Sequence, residues 1–208
     1  ITTTTSTYKN ALNVAAIAKE LDPKVVTILG GPHVTFTDAE TLRNQQVDIV
    51  VRHEGELTML ELCQRLLKWD QGLEQVAGIS YRKDNVILKN PDRPLIEDLD
   101  RLPFPARHLM QLDKYLSPGT IITSRGCPSK CIFCAAEAMS GGKYRVRSPA
   151  NVVAETEKVA NDFNPKFFFI ADDTFTVFRD RTREICKLLR NLAKKVEWVC
   201  ESRANFID

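Results

Sequence analysis

The feature that most constrains this chain is an alternation. Short continuous apolar runs are each followed by a stretch of helical periodicity, and the pattern occurs twice. In the first series Val14, Ile17, Ala18 and Leu21 fall at i, i+3, i+4 and i+7, which predicts one buried stripe on a helix closed by Pro23. Residues 25–29 and 47–51 are nearly all apolar, as expected of strands covered on both faces. Residues 58–68 repeat the helical stripe through Met59, Leu62, Cys63 and Leu66. The second series predicts strands over 120–123, 166–171 and 196–200, with helices over 151–163 and 180–192. Ser148 and Pro149 stand where an N-cap and a first helical residue belong. Such alternation predicts α/β architecture built from parallel βα units: a partial doubly wound parallel sheet, then the first part of a (β/α) barrel.

Between the two series the period changes. Residues 78–81 and 86–88 flank Lys83, Asp84 and Asn85, the pattern of a small hairpin. Pro91, Pro94, Pro103, Pro105 and Pro118 then mark a stretch poor in regular structure. The expected organisation is therefore a domain over 1–90, a proline-rich linker over 91–118 and a second domain over 119–208. A formal charge of +2 gives no reason to expect a nucleic-acid partner. No window approaches the ~18 consecutive apolar residues of a membrane span.

The chemistry is concentrated in Cys127-Pro128-Ser129-Lys130-Cys131-Ile132-Phe133-Cys134, a C-x3-C-x2-C run directly after a predicted strand. Three thiolates on one short loop can wrap a compact inorganic core. A closed structural zinc site takes four ligands, whereas three leave a coordination position open. Cys63, Cys186 and Cys200 fall in helix or strand patterns and read as buried, inert thiols.

This run, with the aromatic Phe133 just before its third cysteine, resembles the cluster motif of radical S-adenosylmethionine (SAM) enzymes. The resemblance implies a [4Fe-4S] cluster bound by Cys127, Cys131 and Cys134, with SAM on the open iron, Phe133 beside it, and reductive cleavage to a 5′-deoxyadenosyl radical. Asp172 and Asp173 follow the second strand of this series, where ligands gather in parallel α/β folds. In the family a carboxylate there accepts from the SAM amino group; helix capping is the structural alternative. Glu201 and Arg203 follow the third strand, as contacts to SAM or substrate or as a structural ion pair.

Gly30-Gly31-Pro32-His33, Glu54-Gly55-Glu56 and Gly78-Ile79-Ser80-Tyr81 together resemble the cobalamin-binding domain that precedes the barrel in one large radical SAM class. That resemblance implies that Thr3, Ser6, Thr7, Gly30 and Gly31 line a pocket for the cobalamin nucleotide tail. The Asp-x-His-x-x-Gly run that supplies a lower axial histidine does not occur, so the lower ligand stays open and His33 is not assigned to cobalt. The activity implied is that of a cobalamin-dependent methyltransferase, with a radical cyclase or rearrangement enzyme and a non-catalytic metal-binding module as alternatives. An electron donor such as a flavodoxin or ferredoxin and a cytoplasmic location go with it. The opening Ile1-Thr2-Thr3, without Met, and the end after a third barrel strand read as two incomplete domains.

Overall fold

The computed structural model describes residues 1–68, 72–114 and 119–207, and the chain divides into two compact units, Ile1–Leu95 and Ile96–Asp208. Residues 115–118, which close the expected linker, and Asp208 lie outside the described residues.

The first unit runs α1 (Tyr8–Leu21), β1 (Ile28–Leu29), α2 (Pro32–Phe36), α3 (Asp38–Thr41), β2 (Ile49–Val51), α4 (Glu56–Leu67), β3 (Ile79–Lys83) and β4 (Val86–Lys89). Among the described residues its sheet is four-stranded, in the order β1-β2-β3-β4. β1 and β2 are parallel, with Ile28 opposite Ile49. β3 pairs antiparallel with β2, and β4 with β3, so the sheet is mixed rather than wholly parallel. The two-residue turn at Asp84 and Asn85, with φ of 50° and 64°, has both central residues left-handed, which suits the twist of a tight hairpin and excludes a parallel return.

The stripe expected on α1 faces the other way. Ala11 and Ala15 are buried and Tyr8 and Leu12 pack against the same core, whereas Val14, Ile17 and Leu21 are 52, 54 and 83% exposed. At 3.6 residues per turn the 14/17/21 stripe lies roughly 100° round the helix from the 11/15 face. The small alanines let the helix approach Leu29, Val34 and Val50 closely, and that packing outweighs the larger side chains left outside. On α4 the expected stripe is buried through Leu62, with Met59 and Leu66 packed against the same core, but Cys63 is exposed.

The start of the chain adds a further edge to this sheet. Thr2 pairs parallel with Gly30, Thr3 N donates to Gly30 O at 2.8 Å, and Gly30 N to Ile1 O at 2.9 Å. Gly31 makes this possible: its φ is +103°, and a Cβ there would overlap the Thr3 backbone.

The second unit runs β5 (Thr120–Ile121), β6 (Ser124–Arg125), α5 (Ala136–Ser140), β7 (Arg145–Val146), α6 (Pro149–Phe163), β8 (Phe168–Ile170), α7 (Arg179–Arg190) and β9 (Trp198–Cys200). Among the described residues β5, β8 and β9 form a parallel three-stranded sheet, open rather than closed as a barrel. β6 and β7 form a separate antiparallel ribbon whose connection carries the three cysteines. Ser148 caps α6, its hydroxyl accepting from Asn151 N at 3.2 Å, and Pro149 follows at the first helical position. Val152, Val159 and Ala160 of α6 and Ile185 and Leu189 of α7 bury against Ile121, Phe168 and Ile170. Each of the larger of these side chains, Val, Leu, Ile or Phe, contributes about 1.5–3 kcal/mol through its area removed from water.

The proline-rich stretch is bonded to each unit in turn. Arg52, 1% exposed, donates to Asn90 O and Asp92, and Gly78 N donates to Pro91 O. Further on, Ile96 O accepts from Arg145, Asp100 accepts from Ser148 N, and Arg107 donates to Thr120 O.

Candidate functional site

The carboxyl ends of β5 and β8 and the loop after β9 bring three segments together: 122–135, 171–178 and 201–203. The cysteine loop leaves β6 through Gly126, whose φ is +88° and whose missing Cβ would overlap the Lys143 carbonyl oxygen. No side chain fits there, so the glycine sets the direction in which Cys127 departs. Cys134 N donates to Cys131 O at 3.0 Å, which tightens the far end of the loop.

All three loop thiols are free. Cys127 Sγ lies 3.6 Å from Thr174 Oγ1. Burial alone would push this thiol up, but hydrogen bonds from the Ser129 backbone, Thr174 and the Ser129 hydroxyl outweigh it and hold it below the ordinary value. Cys131 Sγ accepts from Arg203 Nη1 at 2.9 Å. Cys134 is exposed, and Ile132 and Phe133 project into solvent, Phe133 with 88% of its surface exposed. Among the described residues no three His, Cys, Asp or Glu side chains stand close enough to hold a metal ion. The donor chemistry nevertheless suits a thiolate-bound cluster: three thiols on one loop, none in a disulfide, one with a depressed pKa and one facing a guanidinium.

The two acidic residues after β8 have opposite environments. Asp172 is 2% exposed. Its Oδ1 accepts from Thr123 N at 2.6 Å and Ser124 N at 3.1 Å, and its Oδ2 from Thr123 Oγ1 at 2.5 Å. With three donors and almost no solvent access, this carboxylate is committed to the protein. Asp173 reaches solvent. Partial burial, then repulsion from Asp172 and Glu201, holds its carboxyl above the usual range. Glu201 and Arg203 are exposed beside it. The structure thus gathers Cys127, Cys131, Asp173, Glu201 and Arg203 at one mouth and turns Asp172 inward.

In the first unit a cavity of about 420 Å³ opens at the carboxyl ends of β1 and β2, lined by Thr2, Gly30, Gly31, His53, Glu56 and Met59 among others. Gly30 and Gly31 both line this cavity. Thr3 is fully buried with its hydroxyl on Gly30 O, and Thr7 turns back onto Thr4, with Ser6 in the same hydroxyl cluster, so these three are not among the lining residues. His53, Glu56 and Thr2 line the cavity instead. The sequence signal for them was the His53-Glu54-Gly55-Glu56 run after a strand, which by itself says only that a loop begins.

The domain matches agree with both halves of this arrangement. Residues 1–63 match the B12 binding domain and residues 121–205 the radical SAM superfamily. The chain belongs to the cobalamin-type radical SAM family. Among proteins of this family it is 37% identical over 210 residues to an uncharacterized methyltransferase of Pyrococcus horikoshii, covering 99% of this chain and 46% of that protein. It is 35% identical over 217 residues to the anaerobic magnesium-protoporphyrin IX monomethyl ester cyclase of Rubrivivax gelatinosus, covering 98% of this chain and 38% of that one. The chain therefore spans less than half the length of these curated relatives. Its fold matches the solved cobalamin-dependent S-adenosylmethionine radical enzyme OxsB, with aqua-cobalamin and S-adenosylmethionine bound, at a TM-score of 0.73 and 21% identity, covering 95% of this chain and 29% of that one. No helix among the described residues is long and apolar enough to cross a membrane.

Proposed function

We propose that the protein to which this chain belongs is a cobalamin-dependent radical SAM methyltransferase. The observation that carries the reading is the pairing, in one chain, of a three-thiol loop at the mouth of a parallel sheet with a glycine-walled cavity at the carboxyl ends of β1 and β2. In this reading residues 1–90 hold cobalamin, 91–118 connect, and 119–208 hold the cluster and SAM.

Cys127, Cys131 and Cys134 supply the three thiolates. When bound, a [4Fe-4S] cluster supplies the electron that breaks a sulfonium bond of SAM, and methylcobalamin supplies a methyl group. Asp173 and Glu201 offer acceptors for the SAM amino group and ribose, and Arg203 a donor for its carboxylate. Phe133 offers an apolar face at the same mouth. Gly30 and Gly31, with Thr2 and His53, let the backbone approach the cobalamin tail. Free thiols and a low-potential cluster call for a reducing compartment, the cytoplasm, and for an electron donor such as a flavodoxin or ferredoxin.

Anaerobic reconstitution tests the reading. It expects roughly four iron and four sulfide per chain, a cluster spectrum perturbed by SAM, and retained cobalamin. Cys131→Ala should abolish cluster assembly while cobalamin stays bound. Tetrahedral zinc with a fourth protein ligand would make the loop a structural module instead. The 35% identity to a cyclase favours a second reading, ring closure without methyl transfer. Labelled methyl groups from SAM separate the two: they appear in the product of a methyltransferase and not in that of a cyclase.

A further inference from the structure

Asp172 lies beside the reactive mouth, yet both its oxygens point away from it. They hold the backbone N–H groups of Thr123 and Ser124 and the Thr123 hydroxyl at 2.5–3.1 Å, in a site from which solvent is excluded. The same short stretch is gripped from its other side. Arg181, on α7, donates through Nη2 to Thr123 O at 2.8 Å and through Nε to Arg147 O at 2.8 Å. Tyr144 donates to Thr174 O at 2.8 Å, which ties the ribbon back to the loop after β8. Only two residues separate Ser124 from Cys127. The intervening Arg125 belongs to β6, and Gly126 holds a φ of +88° with no room for a side chain.

We propose that Asp172 is a positioning residue for the cysteine loop. It fixes the point from which Cys127 departs, and it does so through Thr123 and Ser124 rather than through SAM. The physical basis is the asymmetry of buried hydrogen bonding. Two backbone donors that lose their acceptor in a dry site must find another or open the structure to water. Opening at this place displaces the base of the loop that carries all three thiols. Charged acceptors also hold backbone donors more tightly than neutral ones, which explains a carboxylate where an amide would fill the same space.

The proposal rests on the reading that Cys127, Cys131 and Cys134 hold a cluster, and its test keeps the two apart. The protein is reconstituted with iron and sulfide without SAM, and iron release to a chelator is followed together with the electron paramagnetic resonance spectrum of the reduced cluster. Asp172→Asn should release iron about ten-fold faster than wild type, the scale on which outer-shell partners act on metal sites, and shift the spectrum. Thr123→Val removes only the hydroxyl arm and should move both readouts the same way by less. Val159→Ala, a truncation in the core of the same unit, controls for general loss of stability. If both Asp172→Asn and Thr123→Val match the Val159→Ala control, the proposal is overturned. If Asp172→Asn does not fold, Thr123→Val alone decides by the same comparison. A cluster that still assembles in Cys131→Ala would instead overturn the cysteine reading. Because SAM is absent throughout, a role of Asp172 in holding SAM leaves these rates unchanged.

Discussion

The two units solve the same problem with different materials. In each unit the candidate site lies at the carboxyl ends of parallel strands, and in each a left-handed glycine admits a backbone that no other residue would tolerate. In the first unit, however, the cavity walls are largely backbone and short loops, already in place at Gly30 and Gly31. In the second, the base is bonded in place but, among the described residues, the three thiols do not converge on one point. Thr123 and Ser124 are held by buried hydrogen bonds, while Cys134 and Phe133 reach into solvent. A site made of backbone is formed by folding. A site made of side chains on an exposed loop depends on its base for position and on its ligand for closure.

That contrast can be broken most directly at the glycines. Gly126→Ala places a Cβ against the Lys143 carbonyl oxygen and imposes left-handed backbone on a residue that resists it. The backbone strain alone is about 1–3 kcal/mol, and the overlap adds to it. Cluster assembly should be lost, as measured by iron content, with a lower urea midpoint for the second unit. If Gly126→Ala assembles a full cluster, the loop is not built on a rigid base.

Gly31→Ala tests the other end and should cost less. Its Cβ would overlap the Thr3 backbone, but Ile1, Thr2 and Thr3 form an outer edge that can peel away. The expected loss is about 1 kcal/mol, seen as faster amide exchange at Gly30, whose N–H otherwise donates to Ile1 O. Cobalamin retention should fall with it. Unchanged exchange at Gly30 would show that the cavity wall does not depend on this contact.

The smallest effect is expected at Asp173. Its carboxyl is raised in the folded chain, by partial burial and then by Asp172 and Glu201, so the folded state binds this proton more tightly than the unfolded state does. The stabilisation from that proton is complete in acid, below the ordinary value of 3.8, and is lost as pH rises through the folded value. Asp173→Asn should therefore raise the Tm slightly at neutral pH and leave it unchanged below pH 3.8. Screening at an exposed position limits the gain to about half a kcal/mol. A lower Tm at neutral pH would mean that Asp173, like its neighbour, carries structural hydrogen bonds.

Features written within a few consecutive residues could be read directly. Three cysteines in eight positions share a loop whatever surrounds them, and Ser148-Pro149 caps α6 through contacts three residues apart. The strand–helix alternation follows from periodicity for the same reason, whereas the cofactor classes came from the resemblance of the cysteine run and the glycine-containing loops to a known family. What required the folded chain was every choice between equivalent neighbours. Asp172 and Asp173 are identical in sequence terms, and successive residues leaving a strand point to opposite sides. Packing against Thr123, 49 positions away, made one a buried clasp and left the other at the mouth. α1 offered two apolar faces and buried the one with the smaller residues. Glu155, on α6, is buried between Arg107 and Arg147. Local spacing names the chemistry because covalent connectivity brings those groups together. Which face turns inward depends on the shape of partners far along the chain, and that information exists only once the chain has packed.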